Sequence, residues 1–193
     1  VLITFLVVVV AILISQSEQL ELYTILLASI AASLVAAAGN IVNDIFDILT
    51  DKISHPNRVL VLGKLNKTEV KLEYIILNFI SAIISINISQ TLFTIFFVSA
   101  LLLFIYSAYL KKIPLIGNIV IALLTGLAFI YGGFASGNPV AAIVPAVFAF
   151  LINLIREIVK DIQDIEGDTK AGTITIQIKF GFKKSKILIL IIT

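Results

Sequence analysis

Residues 40–51 read NIVNDIFDILTD, and residues 156–168 read REIVKDIQDIEGD. Both segments contain the pattern Asp-x-x-Asp-x-x-x-Asp, and each follows a long apolar run. Positions three and seven residues apart lie on the same side of an α-helix, so each segment predicts an acidic stripe at the end of an apolar helix. The stripes consist of Asp44, Asp47 and Asp51 in the first segment, and of Asp161, Asp164 and Asp168 in the second. Asn40 and Glu157, each four residues before the first aspartate, extend the two stripes.

The composition is typical of an integral membrane protein. Of the 193 residues, 60% are hydrophobic and 13% are charged, whereas a soluble domain has about 25% charged residues. The chain has no cysteine and one histidine. This excludes a disulfide framework, a thiolate metal site and a metal centre built from several histidines of this chain. We therefore expect an all-α integral membrane protein.

The apolar runs predict a bundle of about seven transmembrane helices around a central cavity, since one span needs about 20 apolar residues. The predicted ranges are 1–14, about 22–50, about 69–88, about 91–110, about 115–133, about 140–165 and a truncated helix from about 185. The second and sixth runs are longer than a span requires, and their surplus turns carry the acidic stripes. Both chain ends lie inside apolar runs, so we expect residues 1–193 to form a single domain that lacks its natural ends.

Loop charges predict the orientation of the bundle. The loop at about 51–71 carries five lysine or arginine residues, and the next basic connection carries Lys111 and Lys112. The turns near 88–91 and 132–139 carry none. Because basic loops stay in the cytoplasm, we expect a multi-pass protein of the cell membrane whose cavity opens toward the cytoplasm. Both acidic stripes are then expected at that face.

Converging carboxylates repel one another unless cations neutralise them. Mg²⁺ typically binds one or two carboxylates together with substrate phosphates, and Arg or Lys side chains can neutralise the remaining charge. The two stripes and the basic residues beside them therefore predict a Mg²⁺-bridged diphosphate. A cation transporter and a non-catalytic scaffold with solvated acidic faces remain as alternatives. Transport is disfavoured because the acids lie at one end of helices that run in the same direction, whereas transporter sites commonly lie near the midplane of inverted repeats.

Four motifs together resemble the UbiA-type intramembrane prenyltransferases, and the resemblance spans nearly the whole chain. They are NDIFDILTD at residues 43–51 with the following Lys52, His55, Pro56 and Arg58; YSAYLKK at residues 106–112; Gly117 with Asn118; and the segment 156–168. The resemblance implies a bundle of about nine helices, a Mg²⁺ cofactor and transfer of a prenyl group from an isoprenyl diphosphate to a lipophilic acceptor. The family commonly has Pro-Leu-Pro after the arginine, whereas this chain has Val59-Leu60-Val61.

Within this family, residues 125–133 (TGLAFIYGG) and 148–168 look most like the archaeal digeranylgeranylglyceryl phosphate synthases. That resemblance implies transfer of a geranylgeranyl group to geranylgeranylglyceryl phosphate in the synthesis of ether phospholipids. The alternative is an aromatic prenyltransferase of quinone synthesis, with a hydroxybenzoate or naphthoate acceptor. The expected partners are the prenyl diphosphate, the acceptor lipid and membrane lipids, and no nucleic acid is expected.

The resemblance also implies roles for residues at the motif positions. The candidate metal ligands are Asp44, Asp47, Asp51, Asp161, Asp164 and Asp168. The candidate catalytic residues are Asp44, Asp47, Asp161, Asp164, Arg58, Lys111 and Tyr106. The candidate substrate-binding residues are Asn40, Asn43, Arg58, Lys111, Lys112, Asn118, Asn153, Arg156 and Lys160.

Two further expectations come from position alone. Asp51 and Asp168 lie about 10 Å along the helix from the first aspartate of each stripe. We expect them to bind metal through water or to order the loops. Gly126, Gly132 and Gly133 are expected where helices pack closely, because small residues let backbones approach one another.

Overall fold

The computed structural model describes residues 1–15, 21–163, 181 and 189–190, and six α-helices make up most of that part of the chain. They are α1 (Leu2–Ser15), α2 (Leu22–Ser54), α3 (Lys67–Ile88), α4 (Gln90–Ala108), α5 (Ile116–Ala135) and α6 (Pro139–Gln163), with a 3₁₀ turn at Leu110–Lys112 between α4 and α5. Helices α2 to α6 are long and apolar enough to cross a membrane, and α1 is a shorter apolar helix. The all-α class is thereby confirmed, and the truncated helix predicted from about residue 185 lies mostly outside the described residues.

The length of α2 sets the first acidic stripe apart from the rest of the helix. α2 has 33 residues, so it is about 50 Å long and exceeds a hydrocarbon core of about 30 Å. It ends at Ser54 because Pro56 disfavours a helical conformation at His55, whose φ and ψ are −138° and 63°. The surplus turns before this end carry the first acidic stripe.

Side-chain caps define where α3 and α4 begin. The Asn66 side chain accepts a hydrogen bond from the Thr68 backbone N–H at 3.1 Å, and the Glu69 side chain accepts one from the Asn66 backbone N–H at 3.1 Å. This reciprocal pair is a capping box. The Ser89 hydroxyl oxygen accepts a hydrogen bond from the Leu92 backbone N–H at 3.1 Å and caps α4. With only Ser89 between them, α3 and α4 form an antiparallel hairpin.

Glycines let α5 pack closely against α1 and α6. A Cβ atom added at Gly132 would lie 2.5 Å from the Cβ atom of Ala11 in α1, and one at Gly133 would lie 2.5 Å from the Cβ atom of Ala142 in α6. A Cβ atom at Gly126 would lie 2.9 Å from a backbone oxygen of α6. Real Cβ contacts are longer than this, so the expectation of close helix packing at these three glycines is confirmed.

A cavity of about 490 Å³ lies between the helices, and all six of them contribute to its lining. That volume is typical of pockets for small organic molecules, which range from about 300 to 1,000 Å³. Most of its wall is apolar, as Val35, Phe96 and Leu124 illustrate. α2 packs against α1, α3 and α4, whereas α6 packs against α5 and α1. The cavity therefore lies between the two helices that carry the acidic stripes.

Candidate active site

Arg58 joins the two ends of the first acidic stripe. Its Nη1 atom lies 2.7 Å from Oδ1 of Asp44 and 2.8 Å from Oδ2 of Asp51. The Asp51 side chain is 7% exposed and also lies 3.5 Å from Nδ1 of His55, whereas the Asp44 side chain is 47% exposed. Asp51 thus contacts two residues of the loop after α2, and Asp44 is the more accessible carboxylate.

The loop after α2 holds Arg58 in position without the prolines that are common in the family. The backbone N–H of Leu62 donates to the Arg58 carbonyl oxygen at 2.9 Å, and the N–H of Lys64 donates to the Val59 carbonyl oxygen at 3.1 Å. The N–H of Arg58 itself donates to the His55 carbonyl oxygen at 3.1 Å. These turns constrain the backbone on both sides of the arginine, so hydrogen bonding replaces the rigidity that proline rings would give.

Lys111 neutralises the middle of the same stripe. It lies in the 3₁₀ turn after α4, and its Nζ atom forms an ion pair with Oδ1 of Asp47. The same ammonium group lies 3.3 Å from Oδ1 of Asn43. The side chains of Lys111 and Asp47 are only 14% and 21% exposed, so this ion pair is shielded from solvent more than a surface pair would be.

A residue at the start of α5 connects α6 to the charged cluster formed by the first stripe, Arg58 and Lys111. The Asn118 side-chain amide donates a hydrogen bond to Oδ2 of Asp161 at 2.9 Å. A Cβ atom at Gly117 would lie 3.1 Å from both the Leu110 carbonyl oxygen and the Lys111 Cα atom, so glycine lets the start of α5 press against the 3₁₀ turn. The first stripe, the 3₁₀ turn and the second stripe are thereby held together.

Leu115, directly before α5, has a φ of 69°. Such a positive φ is costly for a residue with a side chain and persists only where the surrounding contacts hold it. The strained residue turns the chain sharply from the 3₁₀ turn into α5. It therefore belongs to the structure that positions Lys111 and Asn118.

Tyr106 and Glu157 are two further side chains near the acidic stripes. Tyr106 is partly buried at the end of α4, and it lies within electrostatic reach of Asp47 on α2 and of Glu157 and Asp161 on α6. Glu157 was not among the candidate site residues, although its position four residues before Asp161 places it on the same helix face as the second stripe. Its carboxylate oxygen lies 2.7 Å from Nη1 of Arg156, and its side chain is 13% exposed.

Three polar residues line the cavity on the side of the acidic cluster. They are Asn40, one turn before Asp44 on α2, and Asn153 and Arg156, one to two turns before Asp161 on α6. The Asn153 Nδ2 atom is buried and has no hydrogen-bond partner in the described part of the chain. Beyond these residues the wall is mostly apolar, with a few hydroxyl groups such as those of Thr125, Ser85 and Tyr131. The site is therefore an apolar cavity with charged residues at one end. This end, where Asn40 and Arg156 lie beside the two acidic stripes, is called the charged mouth.

The remaining candidates differ in how far the structure describes them. Lys112 and Lys160 are exposed, and their predicted contact with substrate stays a prediction. Asp164 and Asp168 lie outside the described residues. The described half of the second stripe consists of Asp161, with Glu157 one turn before it.

The oxygen donors at this mouth fit Mg²⁺. Within the residues that the structure describes, no group of three or more Asp, Glu, His or Cys side chains is placed to hold a metal ion by itself. Mg²⁺ nevertheless needs only one or two carboxylates when water and substrate phosphate supply the other ligands. Asp44 and Asp47 from α2 and Asp161 from α6 meet that requirement, and the amide oxygens of Asn40 and Asn43 are chemically suited to it.

The fold and the cluster define an all-helical membrane protein with a charged site at the mouth of an apolar cavity. The chain belongs to the UbiA prenyltransferase family, whose profile matches residues 1–193. This confirms the resemblance carried by the motifs.

The chain is also similar to individual members of the family. It is 38% identical over 164 residues to the digeranylgeranylglyceryl phosphate synthase of Sulfolobus acidocaldarius, which covers 84% of this chain and 60% of that protein. A solved structure of digeranylgeranylglyceryl phosphate synthase in membranes has a TM-score of 0.87 and 35% identity, over 98% of this chain and 68% of that chain. A UbiA homolog from Archaeoglobus fulgidus bound to DMAPP and Mg²⁺ has a TM-score of 0.80 at 18% identity, over 97% of this chain and 68% of that chain, which shows the common fold.

The chain spans about 60% of the length of the curated relatives that it matches. It nevertheless contains both acidic stripes, the 3₁₀ turn and the cavity. The charged site described above is therefore formed by residues within this part of the relatives' length.

Proposed function

We propose that this chain forms the catalytic part of a Mg²⁺-dependent prenyltransferase of the cell membrane. The donor is geranylgeranyl diphosphate, and the acceptor is geranylgeranylglyceryl phosphate in ether-lipid synthesis. The observation that carries the proposal is the cluster of carboxylates from α2 and α6, with Arg58 and Lys111, at the mouth of an apolar cavity. The similarity to digeranylgeranylglyceryl phosphate synthases supports the choice of donor and acceptor.

The donor has two chemically different parts, and the site matches both. Its diphosphate is placed at the charged mouth, and its hydrocarbon chain enters the apolar cavity. Asp44, Asp47 and Asp161, with Asp164 as the fourth carboxylate, would hold Mg²⁺ together with water and the donor's phosphate oxygens. Mg²⁺ bound there would supply charge neutralisation for the departing diphosphate. Two solved UbiA homologs, one bound to DMAPP and one to GPP, each with Mg²⁺, support a metal-bound diphosphate in this fold.

The basic residues hold the negative charge of the donor. Arg58 pairs with Asp44 and Asp51, and Lys111 pairs with Asp47. When the diphosphate is bound, these side chains are close enough to the mouth to turn toward its oxygens. Arg58 can then donate two parallel hydrogen bonds to one phosphate, whereas Lys111 acts as a point charge.

The reaction exchanges one carbon–oxygen bond for another. The bond between the allylic carbon and the diphosphate oxygen breaks, and its electron pair leaves with the diphosphate. The acceptor hydroxyl oxygen forms the new bond to that carbon and releases its proton to the solvent at the mouth. Tyr106 is partly buried within electrostatic reach of carboxylates of both stripes, and its ring is proposed to stabilise positive charge developing on the allylic carbon.

The acceptor phosphate needs cationic partners at the same membrane face. Arg156 lines the cavity mouth, and Lys112 and Lys160 are exposed nearby on the 3₁₀ turn and on α6. Three cations suit a lipid phosphate better than an aromatic carboxylate, which carries less charge. The basic loops support a cytoplasmic location for this face, and residues 1–193 are proposed to belong to one domain around the cavity.

The test uses the full-length protein with labelled geranylgeranyl diphosphate and a panel of acceptors. We expect Mg²⁺-dependent release of diphosphate with geranylgeranylglyceryl phosphate and little release with hydroxybenzoate. Asp44→Asn and Asp161→Asn should each lower the rate by about 100-fold or more, because each removes a carboxylate that is proposed to hold the Mg²⁺ that neutralises the leaving diphosphate. Glu73→Gln, an exposed acid on α3, is the matched control and should keep full activity.

Each other outcome points to a different function. Preference for hydroxybenzoate would identify the aromatic class of acceptor. Mg²⁺ or proton flux in liposomes without any prenyl donor, together with no diphosphate release, would identify a transporter. Full activity of both aspartate variants would contradict the proposed site.

A further inference from the structure

The cavity ends at a tyrosine that is tied across two helices. Tyr131 of α5 is 4% exposed, and its hydroxyl lies 3.2 Å from the hydroxyl of Ser85 on α3. Both residues line the cavity. The next layer, which contains Val8, Ile12 and Leu92, belongs to a packed core cluster and does not line the cavity. The ring of Tyr131 is therefore the floor.

The floor lies opposite the charged mouth. Along α5, Tyr131 is ten residues beyond Ile121, which lines the mouth end, and this corresponds to about 15 Å. Along α2, the lining runs from Asn40 to Ala31, a similar distance. The cavity thus reaches about half the thickness of a hydrocarbon core of about 30 Å.

Small side chains surround this floor. Ala32 on α2 and Ala128 on α5 both line the cavity and pack against the core cluster that contains Tyr131. Larger residues at these positions would fill the space directly above the ring. A tyrosine ring alone could rotate away from a long ligand, but a hydrogen bond to a neighbouring helix holds it in one orientation.

We propose that Tyr131, fixed by Ser85, sets the longest prenyl chain that the enzyme accepts. The inference rests on the proposed function, because it takes the diphosphate to lie at the charged mouth and the hydrocarbon chain to lie in the cavity. Tyr131 then determines specificity by contact with the end of the chain. Ser85 is a positioning residue, which acts by holding the tyrosine ring.

The experiment compares kcat/KM for farnesyl, geranylgeranyl and geranylfarnesyl diphosphates in the full-length protein with one lipid acceptor. Ala128→Leu shortens the cavity, so kcat/KM for geranylgeranyl diphosphate divided by kcat/KM for farnesyl diphosphate should fall by about 10-fold or more. One misfitting methylene in an apolar pocket lowers kcat/KM by about 10- to 200-fold. Tyr131→Ala lowers the floor and should raise the ratio of geranylfarnesyl to geranylgeranyl by about 10-fold. Ser85→Ala should shift this second ratio in the same direction by a smaller factor.

Two controls make the result decisive. Thr94→Leu enlarges an exposed residue near the start of α4, at the floor end of the cavity, and should leave all ratios unchanged. Ala32→Leu raises the floor from the opposite wall, so it repeats the test if Ala128→Leu fails to fold. Unchanged ratios in both Ala128→Leu and Ala32→Leu, or loss of activity with all three donors in both of these variants, would overturn the proposal. A wild-type protein that transfers no prenyl group at all would instead refute the proposed function.

Discussion

Arg58 Nη1 lies 2.7 Å from Asp44 Oδ1, and the same nitrogen lies 2.8 Å from Asp51 Oδ2. One guanidinium thus bridges two carboxylates that are seven residues apart on α2, about 10 Å along the helix axis. The contact closes the loop after α2 over the acidic stripe. It also shows that carboxylates of the stripe pair with a cationic side chain of the protein itself.

Replacement of Arg58 should impair the site without unfolding the protein. We expect Arg58→Gln to lower kcat/KM for the prenyl diphosphate by about 10- to 100-fold, the usual effect of losing a residue that orients metal ligands. Arg58→Lys should recover only part of this loss, because one ammonium cannot reproduce a planar, multidentate contact. The measurement is diphosphate release under saturating Mg²⁺. Lys64→Gln, an exposed cation of the same loop, should behave as wild type, and equal losses in the two glutamine variants would contradict the role of Arg58.

Lys111 pairs with Asp47, so we expect it to compete with a metal ion there and its removal to strengthen metal binding while it weakens catalysis. The pair is 14% and 21% exposed, and two unit charges at such a shielded position interact by a few kcal/mol at most, with about 1.4 kcal/mol equal to a tenfold change in affinity. We expect Lys111→Gln to bind Mn²⁺ about 10-fold more tightly in the absence of donor. Titration by electron paramagnetic resonance measures this affinity.

The control for this prediction is the neighbouring residue. Lys112→Gln removes the same charge from an exposed position and should change Mn²⁺ affinity little, because solvent screens it. Weaker Mn²⁺ binding in Lys111→Gln than in wild type would show that Lys111 supports the metal site instead of competing with metal for Asp47.

Close packing at α5 should make Gly133 intolerant of a methyl group. A Cβ atom there would lie 2.5 Å from Ala142 Cβ and 3.0 Å from the Pro139 Cα atom, so α6 has to move away. We expect Gly133→Ala to cost about 1–3 kcal/mol and to lower the apparent Tm in detergent by about 2–10 °C. Phe134→Ala removes an exposed ring at the adjacent position and should leave Tm nearly unchanged. A stable Gly133→Ala variant would mean that α5 and α6 are not in such close contact.

Local periodicity was sufficient to predict the helices and the first acidic stripe. Asp44, Asp47 and Asp51 share one face of α2 because helix geometry alone determines which residues of one helix lie together. The apolar runs likewise predicted helices α1 to α6, with ends that differ by a few residues from those observed. α2 continues from the predicted end at about 50 to Ser54, since the first residue that disfavours the helix is Pro56.

The partners of the acidic residues were not predictable in the same way. The contact of Arg58 with Asp44 depends on the path of the loop after α2, and the contact of Lys111 with Asp47 depends on the 3₁₀ turn at the end of α4. The cavity floor was missed for the same reason, because Ser85 and Tyr131 are 46 residues apart in the chain. Glu157 could have been included, since it lies one turn before Asp161 on the same stripe.

The orientation of the bundle can be tested with single cysteines, because residues 1–193 contain none. Lys64→Cys places a thiol in the exposed loop after α2, and Gln90→Cys places one in the turn between α3 and α4. In intact cells, a maleimide that cannot cross membranes should label the cysteine at 90 and not the cysteine at 64. Both should react after permeabilisation, which shows that each thiol is accessible.

The expected result follows from the distribution of charge. The segment at about 51–71, which contains Lys64, carries five lysine or arginine residues, and the turn that contains Gln90 carries none. Loops rich in basic residues are retained in the cytoplasm, and the Arg58 contact places the acidic stripe on the same side as Lys64. Labelling at 64 but not at 90 would put the charged mouth outside the cell. A water-soluble diphosphate head group made in the cytoplasm could not reach it there, so that result would also count against the proposed donor.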